Sequence, residues 1–163
     1  MTELDRTGSP AAAAGKVVWI TGAGSGMGAA SARRAAAAGW RVALSGRRSA
    51  QLAAVADEIA RNGGDALALP LDVADRTAVD ATRDALLRRF GRIDAVVLAA
   101  GLNVPERRWT DQRMEDFDAI VATNLRGPAY VIHSALPELR EHRGVAVIAV
   151  SYTHLTLPTN REV

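Results

Sequence analysis

Cysteine is absent from the 163-residue sequence, lysine occurs once, at Lys16, and aromatic residues make up only 4%. Without cysteine, the chain has no disulfide, no thiolate metal site and no cysteine nucleophile. No apolar run approaches the roughly 20 residues that a transmembrane helix needs. Glu3 and Asp5 stand where a signal peptide would be basic. We therefore expect a soluble, cytoplasmic protein.

Charge of neither sign dominates, since 20 basic side chains face 18 acidic ones and the formal net charge is +2. This balance argues against a nucleic-acid partner and against an anionic membrane surface. His133 and His142 are interpreted as surface or packing residues, so no metal site is predicted. The length suits one domain with a sizeable core.

Short apolar runs set the organisation of the chain. Residues 1–15 lack apolar periodicity, and we expect a disordered tail there. From residue 16 onwards, continuous apolar runs alternate with longer segments of helical spacing. Continuous runs are typical of strands buried on both faces, and their alternation with helices predicts an α/β fold, a doubly wound parallel sheet. The predicted strands are Val17–Ile20, Val42–Leu44, Ala66–Leu69, Ala95–Leu98 and Val145–Ile148.

The segments between these strands contain residues that typically begin or end helices. Ser and Asp are good N-caps, Gly ends helices, and Pro interrupts them. We expect helices over 28–38 before Gly39, from a cap at Ser49 to Arg61, from a cap at Asp75 to Phe90, and over 111–140 with a kink or restart at Gly127-Pro128.

A glycine-rich loop follows the first predicted strand directly and leads into a helix. It contains Gly22, Gly26 and Gly28, with Ser25 and Met27 between them. Glycines let the backbone turn and approach a ligand closely, and a helix N-terminus presents free N–H groups and a positive dipole end to an anion. The context predicts a pyrophosphate site. A tight packing turn without a ligand is the alternative.

The ordered set of motifs resembles the short-chain dehydrogenase/reductase family, in its classical branch, over about residues 16–149. Besides the loop, the matching segments are Leu71-Asp72-Val73, Leu98-Ala99-Ala100-Gly101, Asn124-Leu125-Arg126-Gly127 and Val147-Ile148-Ala149. The resemblance implies an NAD(P)-binding Rossmann domain with strand order 3-2-1-4-5, incomplete at its C-terminal side, with the dinucleotide across the carboxyl ends of the strands.

The same resemblance implies roles for single residues. Asp72 and Val73 would touch the adenine, Ala100 and Gly101 would approach the cofactor, and Asn124 would belong to the catalytic tetrad beside the cofactor. Family members usually carry two asparagines where this chain has Leu98 and Ala99, so any hydrogen bonds from those side chains are missing. The implied activity is hydride transfer between an alcohol and a ketone, on a small-molecule substrate and in a homo-oligomeric parent protein.

The end of the second strand predicts which dinucleotide is bound. An acidic residue there accepts from the ribose 2′-hydroxyl of NAD, whereas arginine accommodates the 2′-phosphate of NADP. Gly46 occupies the acidic position and is followed by Arg47 and Arg48. Two guanidiniums can form charge-assisted bonds to a dianion. NADP is therefore predicted over NAD, the alternative being that both arginines are solvated.

The proton-donating pair of the family, Tyr-x-x-x-Lys, has no match. Tyr130 and Tyr152 are followed four residues on by Ser134 and Thr156, and Lys16 opens the first strand at its wrong end. Ser151 matches the catalytic serine poorly. Of the tetrad only Asn124 is identified, and we expect the chain as given to be inactive.

Residues 150–163 do not resemble the family. One valid set of codons for 150–159, GTC TCT TAT ACA CAT CTG ACG CTG CCG ACG, resembles the transposase adapter used in sequencing libraries. We hypothesise that the genuine sequence stops near Ala149 and that adapter read-through follows it. A naturally divergent C-terminus is the competing interpretation. On either account, Tyr152 and His154 are not assigned to catalysis.

Two other classes of protein fit parts of the pattern. A Rossmann module that senses the dinucleotide without catalysis would suit the missing Tyr and Lys. A methyltransferase that uses S-adenosylmethionine is also doubly wound, but the spacing of Gly22, Gly26 and Gly28, with Arg47 in place of an acid, argues against it.

Overall fold

A computed structural model describes residues 15–105, 108 and 110–149. Five strands form one sheet in the order β3-β2-β1-β4-β5, and every neighbouring pair is parallel. This topology confirms the predicted fold class and strand order. The predicted tails, 1–15 and 150–163, lie outside the described residues except for Gly15. The strands are β1 (Val17–Thr21), β2 (Arg41–Gly46), β3 (Ala66–Pro70), β4 (Ala95–Leu98) and β5 (Val145–Ile148).

Helices cover both faces of this sheet. They are α1 (Gly26–Ala37), α2 (Ser49–Arg61), α3 (Arg76–Phe90), α4 (Met114–Val121) and α5 (Gly127–Glu141), with a π-helical stretch, Ala122–Arg126, joining α4 to α5. Within the described ranges, none of these helices is both long enough and apolar enough to span a bilayer.

The core has two layers because successive side chains of a strand point to opposite faces. Val17 and Trp19 of β1 pack with residues of α3 and α5, while Val18 and Ile20 pack with residues of α1 and α2. All five residues of β1 are buried. The prediction of strands buried on both faces is thus right for the centre of the sheet.

That prediction is wrong at the two edges. β3 is only half-buried, and β5 is exposed along its whole length, with Val147 49% and Ile148 54% exposed. An edge strand has a neighbour on one side only, so an apolar sequence does not by itself bury it.

Helix beginnings partly follow the predicted caps. Asp75 caps α3, where its carboxylate accepts from the Ala78 backbone N–H at 3.1 Å. The predicted cap at Ser49 is wrong, because Arg48 is the N-cap residue and Ser49 already belongs to α2. The carbonyl of Arg48 accepts from the N–H groups of Gln51 and Leu52, both at 3.1 Å. The helix therefore begins one residue earlier.

The long helical segment also differs from the prediction. It begins at Met114, and its irregularity falls at Ala122–Arg126, before Gly127-Pro128 rather than at it. Gly127 has ordinary helical dihedral angles, and Pro128 lies in the first turn of α5. Proline is tolerated there because the first turn of a helix does not need its N–H. The irregularity in this helical segment is therefore the wider π-helical turn at Ala122–Arg126, and not a kink at Pro128.

Asp94 joins the N-terminal ends of β1 and β4. Its carboxylate accepts from the Val17 backbone N–H at 2.8 Å and from both Nε and Nη2 of Arg92. Burial opposes ionisation, but these bonds outweigh it and hold the pKa of Asp94 below its ordinary value. This contact ties the sheet together at the edge opposite the glycine loop.

Arg33 of α1 and Glu58 of α2 join the two helices that flank the loop. The Nε and Nη2 atoms of Arg33 donate to the two carboxylate oxygens of Glu58, at 2.9 and 2.8 Å. The hydrogen bond from Arg33 lowers the pKa of Glu58.

Candidate functional site

The glycine loop between β1 and α1 is built by close backbone contacts. A Cβ on Gly22, whose φ is +67°, would lie 2.5 Å from the carbonyl oxygen of Ala99. A Cβ on Gly28 would lie 2.2 Å from the carbonyl oxygen of Gly22. Both contacts are with backbone, which cannot move aside as a flexible side chain can. Only glycine fits at these two positions, and the first turn of α1 is consequently drawn onto the end of β1.

The loop is anchored to both neighbouring strands. The Ala23 backbone N–H donates to the carbonyl oxygen of Ser45 at 3.0 Å, and that of Ala99 donates to the carbonyl oxygen of Thr21 at 3.2 Å. Since the carboxyl ends of parallel strands lie at one edge of the sheet, the ends of β1, β2 and β4 meet here. This is the switch point at which open α/β sheets bind ligands.

Ser25 links the glycine loop to the end of β2. It is the N-cap residue of α1, yet its side chain makes no capping bond. Its Oγ instead accepts from Nη2 of Arg48 at 2.7 Å. A guanidinium therefore stands beside the positive end of the α1 dipole. Two independent sources of positive potential face the same opening.

A cleft of about 300 Å³ opens at this edge of the sheet. Every predicted cofactor-binding residue except Asn124 lines it: Gly22, Ser25, Gly26, Met27, Gly28, Arg47, Arg48, Asp72, Val73, Ala100 and Gly101. The structure thus brings together four segments that the sequence separates by up to about 80 residues. We call this opening the first cleft.

The first cleft has further lining residues that were not predicted to bind the cofactor: Gly24, Gly46, Leu52, Leu71, Ala99 and Thr123. Leu52 is the informative one. It is fully buried and its Cδ2 would lie 3.8 Å from a Cβ on Gly24 and 3.7 Å from one on Gly46. It belongs to the apolar stripe of α2, which gives no sign of a cleft.

A second cleft of about 620 Å³ adjoins the first. Met27, Ala99, Ala100 and Gly101 line both clefts. The other residues that line the second cleft are Leu98, Leu102, Asn103, Ile120, Asn124, Pro128, Ile148 and Ala149. Apart from its two asparagines, the described lining of this cleft is apolar side chains and backbone.

Asn124 lies in the second cleft rather than the first. It belongs to the π-helical stretch, and its side-chain amide is bonded to the backbone of Leu102, at 2.7 Å through Oδ1 and 2.9 Å through Nδ2. In this arrangement Asn124 holds the segment that leaves β4 against the helix.

Tyr130 and Lys16, which were not matched to the catalytic pair, line neither cleft. Tyr130 packs against the core layer formed with α3 and α5. The Nζ of Lys16 lies 5.8 Å from the centre of the Trp40 ring, at the start of β1. Ser151 and Tyr152 lie outside the described residues. In the part of the chain that the structure describes, no group of three or more His, Asp or Glu could hold a metal ion.

A parallel sheet of order 3-2-1-4-5, with a glycine loop at the switch between β1 and β4, defines the doubly wound, Rossmann-like class. Residues 16–159 match the family described as short chain dehydrogenase. The chain belongs to the short chain dehydrogenase family.

Individual relatives show how much of the chain is similar in sequence and in structure to known proteins. Sulfoacetaldehyde reductase 2 of Chromohalobacter salexigens is 39% identical over 125 residues, which cover 77% of this chain and 49% of the relative. An alcohol dehydrogenase of the archaeon Thermococcus sibiricus, solved with 5-hydroxy-NADP, is 33% identical with a TM-score of 0.79, over 82% of this chain and 57% of that one.

A metagenomic short-chain oxidoreductase solved with NADP is 30% identical with a TM-score of 0.82, over 86% of this chain and 64% of that one. The chain spans about half the length of the curated relatives that it matches.

Proposed function

We propose that the protein is an NADP-preferring oxidoreductase that transfers hydride between the cofactor and a small alcohol or ketone, and that residues 16–149 form its cofactor domain. The observation that carries the proposal is the contact of Arg48 with Ser25 at 2.7 Å. It places a guanidinium at the mouth of the first cleft, where Gly46 leaves no carboxylate to oppose a phosphate.

The residues of the first cleft fit a dinucleotide. The first turn of α1 offers backbone N–H groups to a pyrophosphate, and the close approach at Gly22 and Gly28 leaves the backbone bare of Cβ atoms. Arg47, Arg48 and Ser25 would hold a 2′-phosphate, Asp72 and Val73 would border the adenine, and Ala100 and Gly101 would border the cofactor where it enters the second cleft. When bound, the cofactor supplies or accepts a hydride.

Charge supports NADP over NAD. A hydrogen bond to a charged group contributes about 1.5–3 kcal/mol, so one guanidinium on a phosphate accounts for roughly tenfold to a hundredfold in affinity. NAD lacks that phosphate and would lose this contribution. NAD binding at lower affinity is compatible with the same cleft. Two solved structures of similar chains contain 5-hydroxy-NADP and NADP, which supports an NADP site in this chain.

The test compares NADPH and NADH by isothermal titration. Arg48→Asp is expected to weaken NADPH at least tenfold and to leave NADH within about threefold. Arg47→Asp should shift the ratio in the same direction. Arg88→Asp is the matched control, because Arg88 is exposed near the C-terminal end of α3, at the far edge of the sheet. An unchanged NADPH/NADH ratio in both cleft variants contradicts the preference.

A proton donor beside the substrate is the feature that would distinguish an enzyme from a dinucleotide-binding module without catalysis. The sequence contains no tyrosine followed four residues later by lysine, so we propose that this chain alone is inactive and that Asn124 is its part of the catalytic group. The same observation favours a second candidate, a dinucleotide-binding module without catalysis. Turnover of alcohols and ketones by the product of the intact gene distinguishes the two.

The remaining predictions extend this proposal. A small carbonyl or alcohol substrate, a homo-oligomeric parent and a cytoplasmic location stay predictions, as does adapter read-through at 150–163. Sequencing the source gene across the codon of Ala149 tests the last of these directly.

A further inference from the structure

Met27 stands at the junction of the two clefts. It lies in the first turn of α1, it lines both openings, and 57% of the residue is exposed to solvent. The other three residues that both clefts share are Ala99, Ala100 and Gly101, which follow β4 and have short side chains or none. Met27 is therefore the long and flexible side chain on the path from one cleft to the other.

The chemistry of this side chain is distinct in a chain without cysteine. The sequence contains no cysteine and three methionines, so thioethers are the only sulfur groups that a peroxide can attack. Met27 and Met114 are both well exposed, at 57% and 61%, while Met1 lies outside the described residues. Only Met27 of the described pair borders a cleft.

We propose that Met27 is an oxidation site, and that its conversion to the sulfoxide weakens binding of the dinucleotide by disturbing the half that enters the second cleft. The inference rests on the proposed function. A hydroperoxide transfers one oxygen atom to the Met27 sulfur, and its O–O bond breaks. The sulfur is oxidised by two electrons, and the remaining peroxide oxygen is reduced to water or an alcohol.

The apolar character of the second cleft indicates that oxidation of Met27 should lower, rather than raise, the affinity for the dinucleotide. Leu98, Ala99 and Ile148 line the second cleft with apolar side chains, an environment that suits a thioether. A sulfoxide is polar and well hydrated, and covering it with the second half of a dinucleotide removes its oxygen from water in a cleft whose described lining is apolar apart from Asn103 and Asn124. Removing this polar oxygen from water is expected to reduce affinity about tenfold.

The position of Met27 also predicts which ligand is affected. Arg47, Arg48 and Asp72 line the first cleft alone, whereas Met27 lines both clefts. Adenosine 2′,5′-bisphosphate lacks the second half of the dinucleotide, so it would leave uncovered the part of Met27 that faces the second cleft. Its affinity should change less than twofold on oxidation, while that of NADPH falls. A general loss of structure would weaken both ligands together.

The experiment treats the full chain with hydrogen peroxide, locates sulfoxides by peptide mass spectrometry, and measures both ligands by isothermal titration before and after. Met27→Leu should show the same NADPH affinity in treated and untreated samples. Met114→Leu, which removes the equally exposed thioether away from both clefts, should remain as sensitive as the parent chain. Methionine sulfoxide reductases should restore the affinity of the treated parent chain.

The outcomes separate the two proposals. If the untreated chain binds neither ligand, the proposed function fails and this inference fails with it. If both ligands bind, the inference is overturned by unchanged NADPH affinity with Met27 oxidised, by a Met27 that stays unoxidised while Met114 reacts, or by equal losses for both ligands.

Discussion

The side-chain amide of Asn124 pairs with both backbone groups of Leu102, accepting from its N–H at 2.7 Å and donating to its carbonyl at 2.9 Å. This pair of hydrogen bonds resembles the pairing of backbone groups between two β-strands, but it connects a π-helical stretch to the segment after β4. It defines the wall of the second cleft at the point where the sequence predicts a catalytic asparagine.

Replacing Asn124 by Asp should break this pairing in a way that depends on pH. An ionised carboxylate cannot donate to the Leu102 carbonyl and repels it, so the segment at 101–105 should exchange its amide hydrogens faster at pH 7 than in the parent chain. Below about pH 4 the protonated carboxyl can donate again, and protection should return in part. Hydrogen exchange measured at both pH values checks this.

The Asn124→Ala variant is the matched control, because alanine neither donates nor accepts. Its exchange should be fast at both pH values. A pH response in the alanine variant equal to that of the aspartate variant would show that some other group is responsible.

Asp94 is expected to make folding stability dependent on acid. Its folded pKa is lowered because the bonds from Arg92 and from the Val17 N–H outweigh burial. Its stabilising effect is therefore complete above the unfolded pKa of about 3.9 and is lost as the pH falls through the lower folded pKa. Asp94→Asn should flatten the fall in the free energy of unfolding below about pH 4.

At pH 7 the free energy of unfolding of the same Asp94→Asn variant should be about 1–3 kcal/mol lower than that of the parent chain, because Arg92 is left without its carboxylate. Asp84→Asn is the control, since the carboxylate of Asp84 pairs with Arg83 at the surface and is 49% exposed. It should cost less than about 1 kcal/mol. Urea titrations at pH 7 and pH 3 measure both. Equal costs for the two variants would contradict the role of Asp94.

Gly28→Ala should weaken dinucleotide binding strongly without unfolding the sheet. The added Cβ would lie 2.2 Å from the Gly22 carbonyl oxygen, so the first turn of α1 must move away from the loop. We expect at least a tenfold loss of NADPH affinity by titration, since the backbone donors at the helix start are displaced.

Gly63→Ala provides the comparison for this change. Gly63 has a φ of +80° and open space around it, and it lines neither cleft. Alanine there should cost about 1 kcal/mol of stability and leave NADPH affinity as it was. If Gly28→Ala bound NADPH as the parent chain does, the close approach would not shape the site.

Trp19 and Ser45 form a buried hydrogen bond between β1 and β2, with the indole Nε1–H donating to Oγ at 2.9 Å. Ser45→Ala leaves a buried donor unpaired and should cost about 1–3 kcal/mol. Combining it with Trp19→Phe, which removes the donor, should cost less than the two single changes added together. A double-mutant cycle from urea titrations measures that difference. Strict additivity would argue against the bond.

Local patterns were enough to predict the strands and the glycine loop, whereas the strand order was implied by the resemblance to the family. The run from Val17 to Ile20 is continuous and apolar because β1 is buried on both faces. Gly28 is required by a contact with Gly22 close in the chain, but Gly22 is required by a contact with the distant Ala99. The edge exposure of β5 was not predictable from Val145–Ile148, because the same apolar run suits a central strand. Burial there depends on neighbours rather than on composition.

The parts of the site that depend on distant pairs were also beyond the sequence. Nothing near Ser25 indicates that Arg48 will reach it across 23 positions, and the π-helical stretch at Ala122–Arg126 has no compositional sign. Proline is a visible helix breaker, so the irregularity was predicted at Gly127-Pro128. A sequence pattern predicts local secondary structure, whereas these contacts depend on how the helices pack against the sheet.

The complete burial of β1 has a consequence for motion. This strand has partners on both sides and a helical layer on each face, so its amide hydrogens should be among the slowest in the chain to exchange with solvent. The loop that follows it begins at that rigid base and ends at the first turn of α1. A nucleotide arriving there would meet a bend that is already in place, and little ordering of the chain would oppose its capture.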